Sequence, residues 1–245
     1  MKKQRYYLLD ILRGATLISM IFYHATWDLV YMFHVNLPWY EASLGHLWQQ
    51  SIFLTFISLS GFCFAISKKN YKRGLIVFGA SLLITAVTFV FMPENRIVFG
   101  VLSLLGTSML LSVPLDKILK KINPYIGFIV MLALLFVTYK INDGYLGFGN
   151  VIITKLPKAW YANNITAFFG FPTKEFFSAD YFPLLPWIFL FWSGYFLQGI
   201  FERLGFMKAL SAFRIKPLEW LGRHSLVIYL LHQPLIYGIL TLFFL

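Results

Sequence analysis

Seven runs of almost unbroken apolar residues divide the chain, and the polar residues collect in the segments between them. The runs cover roughly Tyr7–Phe33, Leu44–Ser67, Gly74–Met92, Ile97–Val113, Ile122–Lys140, Phe182–Phe201 and Leu221–Leu245. They are long and do not alternate apolar with polar positions, so they read as helices rather than barrel strands. Each is close to the roughly 20 residues that an α-helix needs to cross a bilayer. The pattern predicts an all-α polytopic membrane helix bundle of about seven spans. One long stretch, 141–181, is too rich in Gly, Pro, Asn and Lys to span. A loop of that length usually carries function, or folds as a lid or interfacial helix. No internal repeat and no soluble-domain linker is visible, so 1–245 reads as a single integral-membrane domain.

Composition agrees with this reading. The 245 residues are 59% hydrophobic and 13% charged, with a mean hydropathy of +0.70. Soluble domains carry about 25% charged residues, which excludes a water-soluble enzyme, a disordered regulator and a secreted disulfide scaffold. The single cysteine, Cys63, can form no intrachain disulfide. Lys2-Lys3-Gln4-Arg5 resembles the n-region of a signal peptide. The apolar stretch behind it is too long, however, carries Asp10 and Arg13, and lacks a small-residue cleavage site. It reads as a retained first helix.

The net charge of +11 bears first on topology. With the N-terminus inside, the external segments hold only Arg96, Lys140, Lys155, Lys158 and Lys174. Arg13 lies within the first span, and the other fifteen of the 21 Lys and Arg residues fall on the cytoplasmic side. The positive-inside rule then makes the N-terminus cytoplasmic, and the C-terminus and 141–181 external. No loop carries a long basic run, so nucleic acid is not an expected partner.

Asp10, Arg13, His24 and Asp28 all fall in the first span. At about 100° per residue they share one arc of about 60° on an otherwise apolar helix. Burying such groups at a helix centre costs about 2.5–3.5 kcal/mol for each Asp or Arg, so they must face protein or a watery cavity and mark a functional path. An Asp10–Arg13 pair that snorkels to the cytoplasmic interface would explain those two alone. It does not explain His24, which lies about 25 Å along the helix from Tyr7.

The last span adds Arg223, His224 and His232, with His232 about 12 Å deeper than His224. Arg223 and His224 at the cytoplasmic mouth suit a phosphate or simple snorkelling. Asp180 and Trp187 belong to Asp-Tyr-Phe-Pro-Leu-Leu-Pro-Trp at the external end of the sixth span. There, Tyr181 and Trp187 suit an interfacial aromatic belt or sugar stacking. Ser58-Leu59-Ser60-Gly61 reads as small-residue helix packing, and Asn164-Ile165-Thr166 is a common glycosylation triplet. There is no metal-ligand spacing, no phosphate-cradling P-loop and no serine nucleophile elbow.

Taken in order, these motifs resemble a known family. Arg5…Leu9-Asp10-Ile11-Leu12-Arg13-Gly14…Met20…His24…Asp28 is similar to the opening of the heparan-α-glucosaminide N-acetyltransferase catalytic-domain family, in its short bacterial form. Phe56-Ile57-Ser58-Leu59-Ser60-Gly61, Arg73-Gly74 and Ile97-Val98-Phe99-Gly100-Val101-Leu102 follow. Asp180 to Trp187 and Leu221 to Pro234 complete a resemblance over nearly the whole chain. Arg13 and His24, ten residues between them, also resemble the first-helix motif of the wider transmembrane acyltransferase superfamily.

The resemblance implies transfer of an acyl group, usually acetyl, from cytoplasmic acyl-CoA to an amino sugar or other glycan at the far face of a bacterial cell membrane. Acetyl-CoA would be the donor, with no metal, and the lipid bilayer the surroundings. On this reading Arg13, with Asp10, Arg223, His224 and His232, lies on the acyl-CoA side, where guanidinium groups match phosphates. The thioester reaches His24, oriented by Asp28, which acts as general base or carries the acetyl itself. Asp180, Trp187 and His34 lie on the acceptor side. In the lysosomal members the histidine thought catalytic lies in the first luminal loop, closer to His34 here, so His34 and the nearby His46 rival His24, as does His232 facing the cavity from the last helix. A small-molecule transporter is the alternative class, but transporters commonly show inverted repeats, and none appears.

Overall fold

The computed structural model describes residues 5–244. Lys2, Lys3 and Leu245, which entered the charge count and the last span, lie outside the described residues. In chain order the helices are α1 (Tyr7–Tyr31), α2 (Pro38–Glu41), α3 (Ser43–Ile66), α4 (Asn70–Phe91), α5 (Val101–Leu119), α6 (Pro124–Thr138), α7 (Leu184–Arg203), α8 (Lys216–Arg223) and α9 (Ser225–Phe244). All but α2 and α8 belong to the seven stretches long and apolar enough to cross a membrane. The protein is all-α and polytopic, an integral membrane protein.

Three boundaries differ from the hydropathy reading. The fourth span starts at Val101, not Ile97, and continues through Pro114 to Leu119. Hydropathy cannot see the reason for the late start: Phe99 adopts φ +56°, a left-handed conformation that a helix cannot contain. The last apolar run is two helices, because His224 closes α8 by donating its N–H to the carbonyls of Trp220 and Leu221. Segment 141–181 holds an antiparallel hairpin, β1 (Tyr145–Phe148) and β2 (Val151–Lys155), in place of an interfacial helix. Its two-residue loop is Gly149-Asn150, with Gly149 at φ +57°, as tight hairpins require.

The chain divides into two compact units, 1–59 with 201–245, and 60–200. In the first, Leu17, Met20 and Ile52 form a buried core, with Tyr23, Trp48, Leu221, Ile228 and Tyr229 packed against it. Lipid tails are as apolar as leucine, so close packing rather than water exclusion holds such helices together. Glycine supplies that closeness here. A Cβ at Gly14 would collide with the carbonyl oxygen of Leu218, and one at Gly222 with that of Asp10. The backbones of α1 and α8 therefore touch.

In the second unit, Gly61 lies directly on the carbonyl oxygen of Phe191, the small-residue packing that Ser58 to Gly61 suggested. Trp192 Nε1 donates to Ser112 Oγ at 2.8 Å and Tyr195 OH to Asp116 Oδ1 at 2.8 Å, two polar ties between α7 and α5. The segment before α5 pairs with the one before α7. Ala179 N–H donates to Arg96 O (3.1 Å), Phe182 N–H to Phe99 O (2.9 Å) and Val98 N–H to Ser178 Oγ (3.0 Å).

Candidate functional site

The first unit carries two polar clusters, one at each of two levels of α1. The first is ionic and lies where α8 meets the beginning of α1. Arg5 Nη2 donates to Asp10 Oδ2 at 2.8 Å and Arg13 Nη1 to Asp10 Oδ1 at 3.1 Å. Arg13 also reaches the carbonyl oxygen of Gly222 at 3.2 Å, an oxygen made accessible by the close approach at Gly14 and Gly222. Arg223 lies 3.8 Å from Asp10 and donates to Glu219 Oε2 at 2.9 Å.

Glu219 is 1% exposed and takes a second, two-pronged contact from Arg214 at 3.1 and 3.0 Å. Those Arg214 hydrogen bonds hold its carboxyl below the usual range against the opposing effect of burial. The Arg214 guanidinium also lies 4.0 Å from the centre of the Tyr7 ring. Four guanidinium groups thus gather around two carboxylates, leaving an excess of positive charge. Such an arrangement suits a polyanion, because the guanidinium fork matches phosphate oxygens two at a time. His224 is exposed, its Nδ1 bonded to Trp220 O at 2.8 Å and its ring 4.6 Å from that of Trp220.

The second cluster is eleven residues further along α1, about 16 Å at 1.5 Å per residue. The rings of His24 and His232 lie 4.9 Å apart between centres, at 62°. Tyr23 stands edge-on to His24 at 5.8 Å. Asp28 is completely buried, and its Oδ1 accepts from Gln233 Nε2 at 2.7 Å. Asp28 Oδ2, His232 Nε2 and Gln233 Oε1 are buried without a partner among the described residues. Tyr40, in α2, packs 5.3 Å from the Tyr23 ring, and burial pushes its hydroxyl up from the ordinary phenol value. A buried histidine pair with open acceptors can accept a proton or hold a hydrogen-bond donor.

The residues singled out in the sequence thus fall into separate groups. Asp10, Arg13 and Arg223 meet, and His24 and His232 meet beside Asp28. His34 is exposed just past α1, in a left-handed conformation with φ +57°. Asp180 and Trp187 belong to the second unit. Asp180 Oδ2 accepts from Val101 N–H at 3.2 Å, as an N-cap of α5 contributed from 79 residues away. Trp187 packs against Tyr139 and Phe182, at 6.0 and 5.9 Å. A cavity of about 230 Å³ in the same unit is lined by Asn142, Thr173, Phe176, Phe177, Ser178 and Tyr181.

Arg214, Glu219 and Gln233 were not singled out in the sequence. Gln233 carried the clearest signal, as the one amide in the last span, directly between His232 and Pro234. Glu219 sits in a short amphipathic helix that begins before the last apolar run.

A family model described as heparan-alpha-glucosaminide N-acetyltransferase, catalytic, matches residues 5–234. The match includes both clusters. No curated protein and no solved structure matches the chain.

Proposed function

The chain belongs to the heparan-alpha-glucosaminide N-acetyltransferase catalytic family, and from that membership we propose that it moves an acetyl group from cytoplasmic acetyl-CoA to an amino sugar or other glycan at the external face of a bacterial plasma membrane. The observation that carries this reading is the pairing of an arginine cluster with a buried histidine pair on one helix, about 16 Å apart. That is about the reach of an extended pantetheine arm. Arg5, Arg13, Arg214 and Arg223 would hold the CoA phosphates. Asp10 and Glu219 keep those guanidinium groups in place.

At the other level His24 does the chemistry. The acceptor amine or hydroxyl attacks the thioester carbonyl carbon, and the C–S bond breaks. The acceptor's proton passes by way of His24 to the departing thiolate, which leaves as CoA thiol. A His24 that first takes the acetyl itself gives the same products in two steps. The acceptor side is proposed to be segment 141–181, which includes Asp180, together with Trp187.

Purified full-length protein in lipid nanodiscs tests this directly, with acetyl-CoA and glucosamine or glucosamine oligosaccharides. Acceptor-stimulated thiol release and an acetylated sugar are expected. Vesicles that accumulate a small solute, with no thiol released for any amino sugar or glycan, would overturn the reading in favour of a transporter.

A further inference from the structure

Charge and exposure are reversed in the connection between α7 and α9. Glu219 is the only acid from Leu204 to His224, and it is the side chain that is buried, with Arg214 and Arg223 both bonded to its carboxylate. Four large apolar side chains, Leu204, Phe206, Phe213 and Trp220, are each more than half exposed. A water-facing loop shows its acids and hides its aromatic rings.

The outward face is also positive throughout. Lys208 and Lys216 are exposed and enter no ion pair among the described residues. A Cβ at Gly222 would meet the Asp10 carbonyl oxygen, which marks the side of α8 that faces α1. Trp220, two residues away and so about 160° round the helix, points outward. Lys216, Arg223 and His224 flank it within an arc of about 100°, and the His224 ring lies 4.6 Å from the indole between centres.

An exposed apolar patch rimmed by polar groups marks a protein or a membrane contact. Position and charge choose between the two. α7 ends at Arg203 and α9 begins at Ser225, and both are candidate spans, so the connection starts and finishes at a bilayer surface. Aromatic rings collect at that level. A face with free ammonium groups and no exposed acid is drawn to lipid of net negative charge more than to zwitterionic lipid. We propose that the connection 204–224 is a binding surface for anionic phospholipid, with Phe206, Phe213 and Trp220 at the acyl–headgroup boundary and Lys208 and Lys216 on the headgroup phosphates. The surface uses neither the histidine pair nor the guanidinium groups assigned to CoA, so it goes beyond the acetyl transfer and does not depend on it.

The test titrates full-length protein in micelles with brominated phosphatidylglycerol or brominated phosphatidylcholine, whose bromine quenches a tryptophan that it touches. The Trp220 signal is the emission that disappears in Trp220→Phe. Phosphatidylglycerol is expected to quench it at a several-fold lower mole fraction than phosphatidylcholine. Replacing both lysines, Lys208→Gln with Lys216→Gln, is expected to raise the phosphatidylglycerol midpoint about 25-fold, about 5-fold for each charge removed. Lys68→Gln with Lys69→Gln, which removes the same charge from the loop between α3 and α4, is expected to leave the midpoint where it is. Equal midpoints for the two lipids in wild type overturn the proposal, as does an unchanged midpoint in the Lys208 and Lys216 variant at equal thermal stability. Trp220 emission that neither lipid quenches also overturns it, and sedimentation as a dimer would then give the face to a second copy of the chain.

Discussion

His24 sits about 16 Å along α1 from Arg13, so its removal should separate transfer from binding. His24→Ala is expected to lower transfer by about 10²–10⁴-fold while calorimetry finds acetyl-CoA affinity unchanged. An active His24→Ala protein beside an inactive His34→Ala one would move the chemistry to the loop histidine. The α5 cap predicts a different signature for Asp180. Losing an N-cap costs about 1 kcal/mol, so Asp180→Ala should lower the melting temperature, whereas Asp180→Asn, which keeps an acceptor oxygen, should not. A rise in glycan KM for both variants would give Asp180 the acceptor role as well. The sequence could single out Asp180 but not choose between these roles, because its partner Val101 is 79 residues away. For the same reason His24 and His232 were visible one at a time, as ionisable groups in apolar spans, while their contact and the Gln233–Asp28 bond were not.

Between α1 and α8 the decisive residues are small and close. Gly14 and Gly222 each have a main-chain carbonyl where a Cβ would go. Overpacking of this kind costs about 1–3 kcal/mol, so Gly222→Val is expected to lower the thermal midpoint. It should also weaken CoA binding, because Arg13 bonds the Gly222 carbonyl. The α8 carboxylate adds a pH dependence. The folded Glu219 carboxyl lies below its ordinary value, so its contribution is present at neutral pH and lost as pH falls through the acid range. Thermal scans from pH 7 down to pH 3 should show a steeper loss in wild type than in Glu219→Gln. Hydropathy made the long spans legible, since a bilayer imposes length and apolarity on each one. It did not reveal where α5 begins, which Phe99 and Asp180 set, or the hairpin at Gly149-Asn150, whose strands are four and five residues long.

For the chain as a whole, an odd number of crossings puts the two ends on opposite sides of the membrane. The seven candidate spans among the described residues would supply the odd number, and the positive-inside rule applied to Lys and Arg predicts the direction. The direction matters chemically. It would place Arg5, Arg13, Arg214 and Arg223 on the side where acyl-CoA is made, and segment 141–181 on the side where surface glycans are found. Arg203, Lys208, Arg214, Lys216 and Arg223 crowd the connection from α7 to α9, and Phe206, Phe213 and Trp220 stand exposed among them, the mixture expected at a lipid headgroup boundary. Reporter fusions are expected to read cytoplasmic at the N-terminus and external at the C-terminus. A tag inserted between Gly149 and Asn150 should be cleaved only by protease added outside intact cells. Both ends on one side would remove a span from the count, and a protected tag at Gly149 would invert the direction of transfer.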